Sequence, residues 1–178
     1  MTSKLDGGCL CGAVRYTCAA EPVLTALCHC RHCQKQTSAP FSIVVAVPRG
    51  SLVIGRGTLK TFADTGDSGQ PVERSFCPDC GSPIRSFVAA MPDLEFIKAG
   101  TLDDTSWLAP TLELWCATAQ AWVKPDPLRQ RLGARAGRDP RRSLHDTPCA
   151  RRPEQADLRH APSNSLSRVT ITPMVTKV

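Results

Sequence analysis

The sequence predicts a mainly β protein: a sandwich or tent of antiparallel strands, followed by a disordered C-terminal tail. Three observations lead there. Short apolar runs, many rich in β-branched or aromatic residues, recur between Gly- and Pro-containing turn signals up to residue 123. No window of a dozen residues in that stretch carries a convincing apolar period of 3.6, apart from a short helix expected in CHCRHCQKQT. After AWVKPDP the aromatic residues cease, and Arg, Pro and Ser take over.

In chain order the expected strands are AVRYTC, FSIVVAV, SLVI, LKTF, IRSFVAA, LEFIKAG and LELWC. The segments VPRG, GRG, DTGDSGQP and MPD turn the chain between them. A length of 178 residues leaves room for one domain with a real core plus a tail, here placed at 7–123 and 124–178. The second segment cannot bury enough apolar surface to offset the entropy of ordering it, so it is expected to be a solvated, disordered tail.

The net charge of +6 is uneven. Residues 1–123 hold ten Lys/Arg against eleven Asp/Glu, a formal −1, and residues 124–178 hold twelve against five, a formal +7. A basic arm for nucleic acid or an acidic partner is the competing reading of the tail. The tail has no aromatic stacking residue and no Lys/Arg run longer than two, so nucleic acid is not expected as a partner, and would bind through the tail if at all. The start, MTSKLDGGCLCGAV, has no export-signal pattern, and no apolar run approaches the length of a membrane span. A cytoplasmic protein is expected, in a compartment where clustered cysteines bind metal more often than they form disulfides.

Cysteine use carries the chemistry. Seven of the ten cysteines fall in three groups: Cys9 and Cys11 in GGCLCGAV, Cys28, Cys30 and Cys33 in LCHCRHCQ, and Cys77 and Cys80 in SFCPDCGSP. A Cys-Pro-Asp-Cys-Gly turn aims two thiolates at one cation, with Pro78 restricting the turn and Gly81 able to leave it in a left-handed conformation. Two thiolates half fill a tetrahedral zinc, and Cys9 and Cys11 are the natural second pair. Gly7, Gly8 and Gly12 let the chain curl there. The competing reading of these four is two reduced or disulfide-bonded pairs.

Cys28, Cys30 and Cys33 then stand by themselves. Structural zinc sites are closed by four protein ligands, whereas catalytic ones keep three and an open position. His29, His32, Cys18 and Cys116 are the candidates for a fourth ligand; a second zinc with an open fourth position is the expectation. Such a site favours a soft anion, above all a substrate thiolate, held beside a carbonyl compound. Arg31, Lys35 and Arg49 are candidates to bind a carboxylated thiol, with Thr37 and Ser38 as hydroxyl donors. With seven thiolates and two Zn²⁺, the formal charge of 1–123 moves from −1 to −4, a poor match for phosphates.

The stretch 7–123 resembles the glutathione-dependent formaldehyde-activating enzyme family, which includes centromere protein V. The resemblance is carried by GGCLCGAVRY, CHCRHCQKQTSAPF, FCPDCGSPI, AGTLDD and LELWCATAQAWV, in the family's order. It implies a β-tent stapled by two zinc ions per chain, a structural one on Cys9, Cys11, Cys77 and Cys80 and a catalytic one on Cys28, Cys30 and Cys33. It also implies carbon–sulfur lyase chemistry of the S-(hydroxymethyl)glutathione synthase type, on adducts of a small thiol such as glutathione with a small aldehyde. The chain departs from the family's pattern in three places. Thr37-Ser38 stands where Ser-Gly is frequent, Glu113-Leu114 stands where His-Ile is frequent, and the tail after Val123 is unlike the usual close.

Overall fold

The computed structural model describes residues 4–66 and 69–133. In chain order its elements are β1 (Leu5–Gly8), β2 (Arg15–Cys18), β3 (Leu24–Cys28), α1 (Arg31–Thr37), β4 (Ser42–Pro48), β5 (Leu52–Arg56), β6 (Lys60–Thr65), β7 (Pro71–Phe76), β8 (Pro83–Val88), β9 (Leu94–Lys98), β10 (Leu112–Leu114) and β11 (Gln130–Leu132), with two short 3₁₀ turns. The strands form two sheets, β1-β2-β5 and β11-β10-β3-β4-β9-β8-β7-β6. The mainly β expectation holds, and the helix expected in CHCRHCQKQT is α1.

Register explains how one large sheet serves two purposes. Strand β4 is buried on both faces, which is why SIVVAV reads as an unbroken apolar run rather than an alternating one. Val45 and Val47 pack with Leu5, Tyr16 and Cys18 of the small sheet, with Val14 of its β1–β2 loop, and with Ile84 and Ile97 of the large sheet, forming the main core between the sheets. Val44 and Ala46 face the other way and pack with Ala26 and Phe96 in a second cluster. Pairing Arg74 with Ser86 and Ser86 with Phe96 puts β7 and β8 side chains on that same second face. A cavity beside Cys28, Cys30 and Cys33 lies there.

Two features differ from the expectation. Not all pairs are antiparallel, because β10 runs parallel to both β3 and β11. Residues 99–111 form the long connection needed to lay β10 parallel beside β3, beyond β4. Folded chain also continues past the boundary drawn after Val123. Gln130–Leu132 add the edge strand β11 by pairing with Leu112–Leu114, and Leu132 is buried. The remainder of the expected tail, 134–178, lies outside the described residues. Among the described residues, no helix is long and apolar enough to cross a membrane.

Candidate active site

The first cysteine group joins two loops. The β1–β2 loop carries Cys9 and Cys11, and the β7–β8 hairpin carries Cys77 and Cys80. Backbone bonds from Gly12 N–H to Cys9 C=O and from Gly81 N–H to Cys77 C=O, both 3.0 Å, close the two turns. Gly12 and Gly81 sit at φ 74 and 73, where a side chain would be strained. The four sulfurs lie within 4.8 Å of one another, with Cys9–Cys11 at 3.4 Å and Cys11–Cys77 at 3.8 Å. Sulfurs on a tetrahedral zinc with ~2.3 Å bonds stand about 3.8 Å apart, so this donor set fits that ion. The N–H of Val14 points at Cys9 Sγ from 3.1 Å, and the Ser82 hydroxyl lies 3.2 Å from Cys80 Sγ. The Ser82 hydroxyl and N–H pull the Cys80 thiol down to about 5.

The second group is built locally. Strand β3 delivers Cys28, and Cys30 is the N-cap of α1, its sulfur accepting the Cys33 N–H at 3.3 Å. One helical turn then brings Cys33 alongside, so three buried sulfurs converge within 4.8 Å. Among the described residues, no other Cys, His, Asp or Glu joins them. The four candidate fourth ligands are placed elsewhere. The buried His29 ring turns toward Phe41 and Glu113, with Nε2 3.6 Å from the carboxylate. His32 Nδ1 lies 2.7 Å from Asp64 Oδ2. The Cys18 thiol points to Ser51, and that of Cys116 to the Glu113 carbonyl.

Without metal, the triplet holds a single negative charge most easily on Cys33. Thiol hydrogen bonds from Cys28 and Cys30 pull Cys33 down to about 2, and Lys98 and Arg74 add to this against the desolvation of the site. Cys28 is pushed well above the thiol range, because its proton is shared with Cys30 and Cys33. Both cations come from the large sheet. Lys98 on β9 is buried, with Nζ 3.4 Å from the Ser42 hydroxyl. Arg74 on β7 donates Nε–H to Asp64 at 2.8 Å and Nη1–H to Gln36 at 3.1 Å.

Beside the sulfurs lies a cavity of about 100 Å³ with predominantly apolar walls, among them Val44, Val72, Phe96 and Leu114. Trp115 completes one side from a left-handed backbone at φ 56. Such strain in a non-glycine residue persists only where the surroundings impose it.

The five side chains expected to contact substrate are not gathered here. Arg31, Lys35 and Ser38 line a separate surface recess with Gln120 and Trp122, on the opposite side of α1. Thr37 donates its hydroxyl to the Cys33 carbonyl at 2.8 Å, and Arg49 stacks on Phe87. The reason is helical geometry: 31, 35 and 38 share one face of α1, while Cys30 and Cys33 share another. The cavity takes Lys98, Arg74 and Ser86 instead. A clue was present in LEFIKAG, where a lone Lys shares the parity of Leu94 and Phe96 and so must point to the same face.

Comparison with known proteins completes the picture. The family model for glutathione-dependent formaldehyde-activating enzyme matches residues 4–118. This chain belongs to that family. A crystal structure of a Rhodobacter sphaeroides protein is also similar, at 20% identity and a TM-score of 0.46, covering 58% of this chain and 90% of that one. The glutathione-dependent formaldehyde-activating family is one of enzymes, and both cysteine groups of this member could hold metal. Its departures from the family pattern now have structural settings. Ser38 ends α1 at φ 50, a conformation that glycine adopts at no steric cost. Glu113 is buried and neutralised by Arg129 and Arg131 of the segment after Val123, at 3.3 and 3.1 Å.

Proposed function

We propose that this chain is a zinc-dependent carbon–sulfur lyase acting on thiol–aldehyde adducts, of the S-(hydroxymethyl)glutathione synthase type. Zinc on Cys9, Cys11, Cys77 and Cys80 is structural, and zinc on Cys28, Cys30 and Cys33 is catalytic. The observation that carries this reading is the second group: three buried sulfurs, without a fourth protein ligand among the described residues, opening on a cavity that presents a buried lysine.

Zinc at the triplet would lower the pKa of a thiol entering the fourth position and keep its sulfur anionic at neutral pH. The chain's own groups do the rest. Lys98 is placed to donate to the oxygen of the adduct, where negative charge develops as the carbonyl forms or is attacked. Arg74, fixed by Asp64 and Gln36, adds positive potential without itself titrating. The apolar walls exclude water, which strengthens both interactions. In cleavage the C–S bond breaks, its electron pair returns to sulfur, and the hydroxyl proton leaves as the C=O bond forms. In synthesis sulfur attacks the carbonyl carbon and the oxygen takes up the proton.

The test combines zinc content with exchange of glutathione and formaldehyde, followed by NMR. Two zinc ions per chain and accelerated exchange are expected. Two zinc ions with no acceleration, for any thiol or aldehyde tried, would remove the lyase assignment.

A further inference from the structure

We propose that the cavity beside the triplet selects a carbonyl partner with a short apolar substituent, its oxygen held between Ser86 and Lys98. The substrate class is then adducts of small aliphatic aldehydes of about three to five carbon atoms, not of the one-carbon aldehyde alone. This rests on the thiol–aldehyde reading above and names which aldehydes it concerns.

Size comes first. An apolar cavity of about 150 Å³ accepts the six carbons of benzene, so one of about 100 Å³ accepts roughly three to five. The body of a tripeptide thiol is far larger, so it stays in the opening, and what enters is whatever the reacting carbon carries. Formaldehyde carries only hydrogens there and would leave Val72, Val88, Met91 and Phe96 uncovered. A propyl group would cover them. Each buried methylene is expected to raise affinity about fourfold, until the space is filled.

Polarity comes second. The Ser86 hydroxyl is buried and has no hydrogen-bond partner among the described residues, although buried hydroxyls are nearly always paired. It lines the cavity on the same sheet face as Lys98, since Ser86 pairs with Phe96 and Phe96 and Lys98 share parity on β9. Turned about χ1 toward the cavity, the orphan hydroxyl would be satisfied by a carbonyl or hydroxyl oxygen between the two. A polar pair beside apolar walls is what a short-chain carbonyl compound requires.

Unreactive carbonyl analogues test this without turnover. Formamide, acetamide, propanamide, butanamide, pentanamide, hexanamide and heptanamide are titrated into the zinc-loaded full chain, with ¹H–¹⁵N NMR shifts of Ser86, Lys98 and Trp115 as the readout. Affinity is expected to rise about fourfold per methylene and to fall once the chain outgrows the cavity. Ser86→Ala, a small change on a partly apolar face, is expected to weaken every amide by about three- to tenfold while preserving the dependence on chain length. Equal affinity across the series, or shifts confined to residues outside the cavity, would overturn the inference.

Two kinetic arms assign the apolar group. With glutathione fixed, exchange should favour butanal over formaldehyde. With formaldehyde fixed, lengthening an alkanethiol should change little. Preference only in the second arm would place the thiol's own carbon chain in the cavity and overturn the carbonyl assignment. Exchange with formaldehyde but no preference in either arm would overturn this inference and leave the lyase standing. Absence of all exchange, with the amide series still graded, would remove the lyase and retain the cavity's selectivity.

Discussion

Cys9, Cys11, Cys77 and Cys80 come from two loops more than sixty residues apart, whereas Cys28, Cys30 and Cys33 come from one strand end and the helix that follows it. In the first group Cys11 is exposed and Cys80 half-buried; in the second all three sulfurs are buried. The first is supported by a neutral hydroxyl and backbone N–H groups, the second by two cations from a different part of the sheet. A metal on the first would cross-link the fold. A metal on the second would add little connectivity but would sit beside a cavity. On the proposed reading the same side chain would serve topology in one place and reactivity in the other.

The largest expected effect separates these roles. Cys77→Ser leaves three ligands of the cross-linking site, and structural zinc in small domains contributes on the order of 10 kcal/mol. Since domains retain only about 5–15 kcal/mol of net stability, this variant is expected to lose one zinc and its cooperative melt together. Cys33→Ser is expected to lose the other zinc while keeping a cooperative melt. Metal analysis and circular-dichroism melts on both variants decide, and equal damage would erase the distinction.

Next in size is the contribution of β11. Glu113 is buried behind the triplet, with Arg129 and Arg131 as its ion-pair partners. Removing the partners of a buried charge costs about 3–5 kcal/mol, toward the lower end here because both arginines are partly exposed. Arg129→Ala with Arg131→Ala should therefore lower the unfolding free energy by about 3 kcal/mol in denaturant titrations, and Glu113→Gln should restore much of it. An undiminished stability would show that β11 is not part of the folding unit.

Lys98→Met keeps the length of the side chain and removes its charge. Exchange should slow about 10²- to 10³-fold, the usual cost of losing one donor to a developing oxyanion. Zinc content should stay at two per chain. A variant with full activity would show that the lysine serves only to balance the charge of the sulfurs.

Much of this was legible in the sequence because the signals were local. Cysteine spacing marks both groups, and apolar runs such as FSIVVAV mark strands whatever surrounds them. Apart from LTALC of β3, an apolar run absent from the expected strands, the missed strands share a cause. LDGG of β1, PVERSF of β7 and QRL of β11 have little intrinsic strand character and are strands because a neighbour's backbone pairs with them. Arg74 and Ser86 reach the cavity through the register of three strands, which no short window contains. Arg31 and Lys35 drew notice by closeness in sequence, and the helix turned them away.

The smallest effect probes the path between the two groups. Tyr16 is buried in the core cluster that includes Cys9 and Cys77, its hydroxyl 2.8 Å from Thr101 Oγ1, and Thr101 donates to the Lys98 carbonyl at 2.8 Å. Burial pushes the phenol up to about 12, against about 10 in an unfolded chain. Because the folded pKa is the higher one, the neutral phenol's contribution is fully present below pH 10 and is lost as pH rises toward 12. Two pK units correspond to about 2–3 kcal/mol. Tyr16→Phe gives up the hydrogen bond, about 1 kcal/mol at neutral pH, but has no phenol to ionise. Other alkaline titrations act on both proteins and cancel in the difference. The stability curves should therefore cross between pH 10 and 12, with the variant the more stable at the alkaline end. Parallel curves would mean that the phenol is solvated and that this link between the core and β9 is not held as the structure places it.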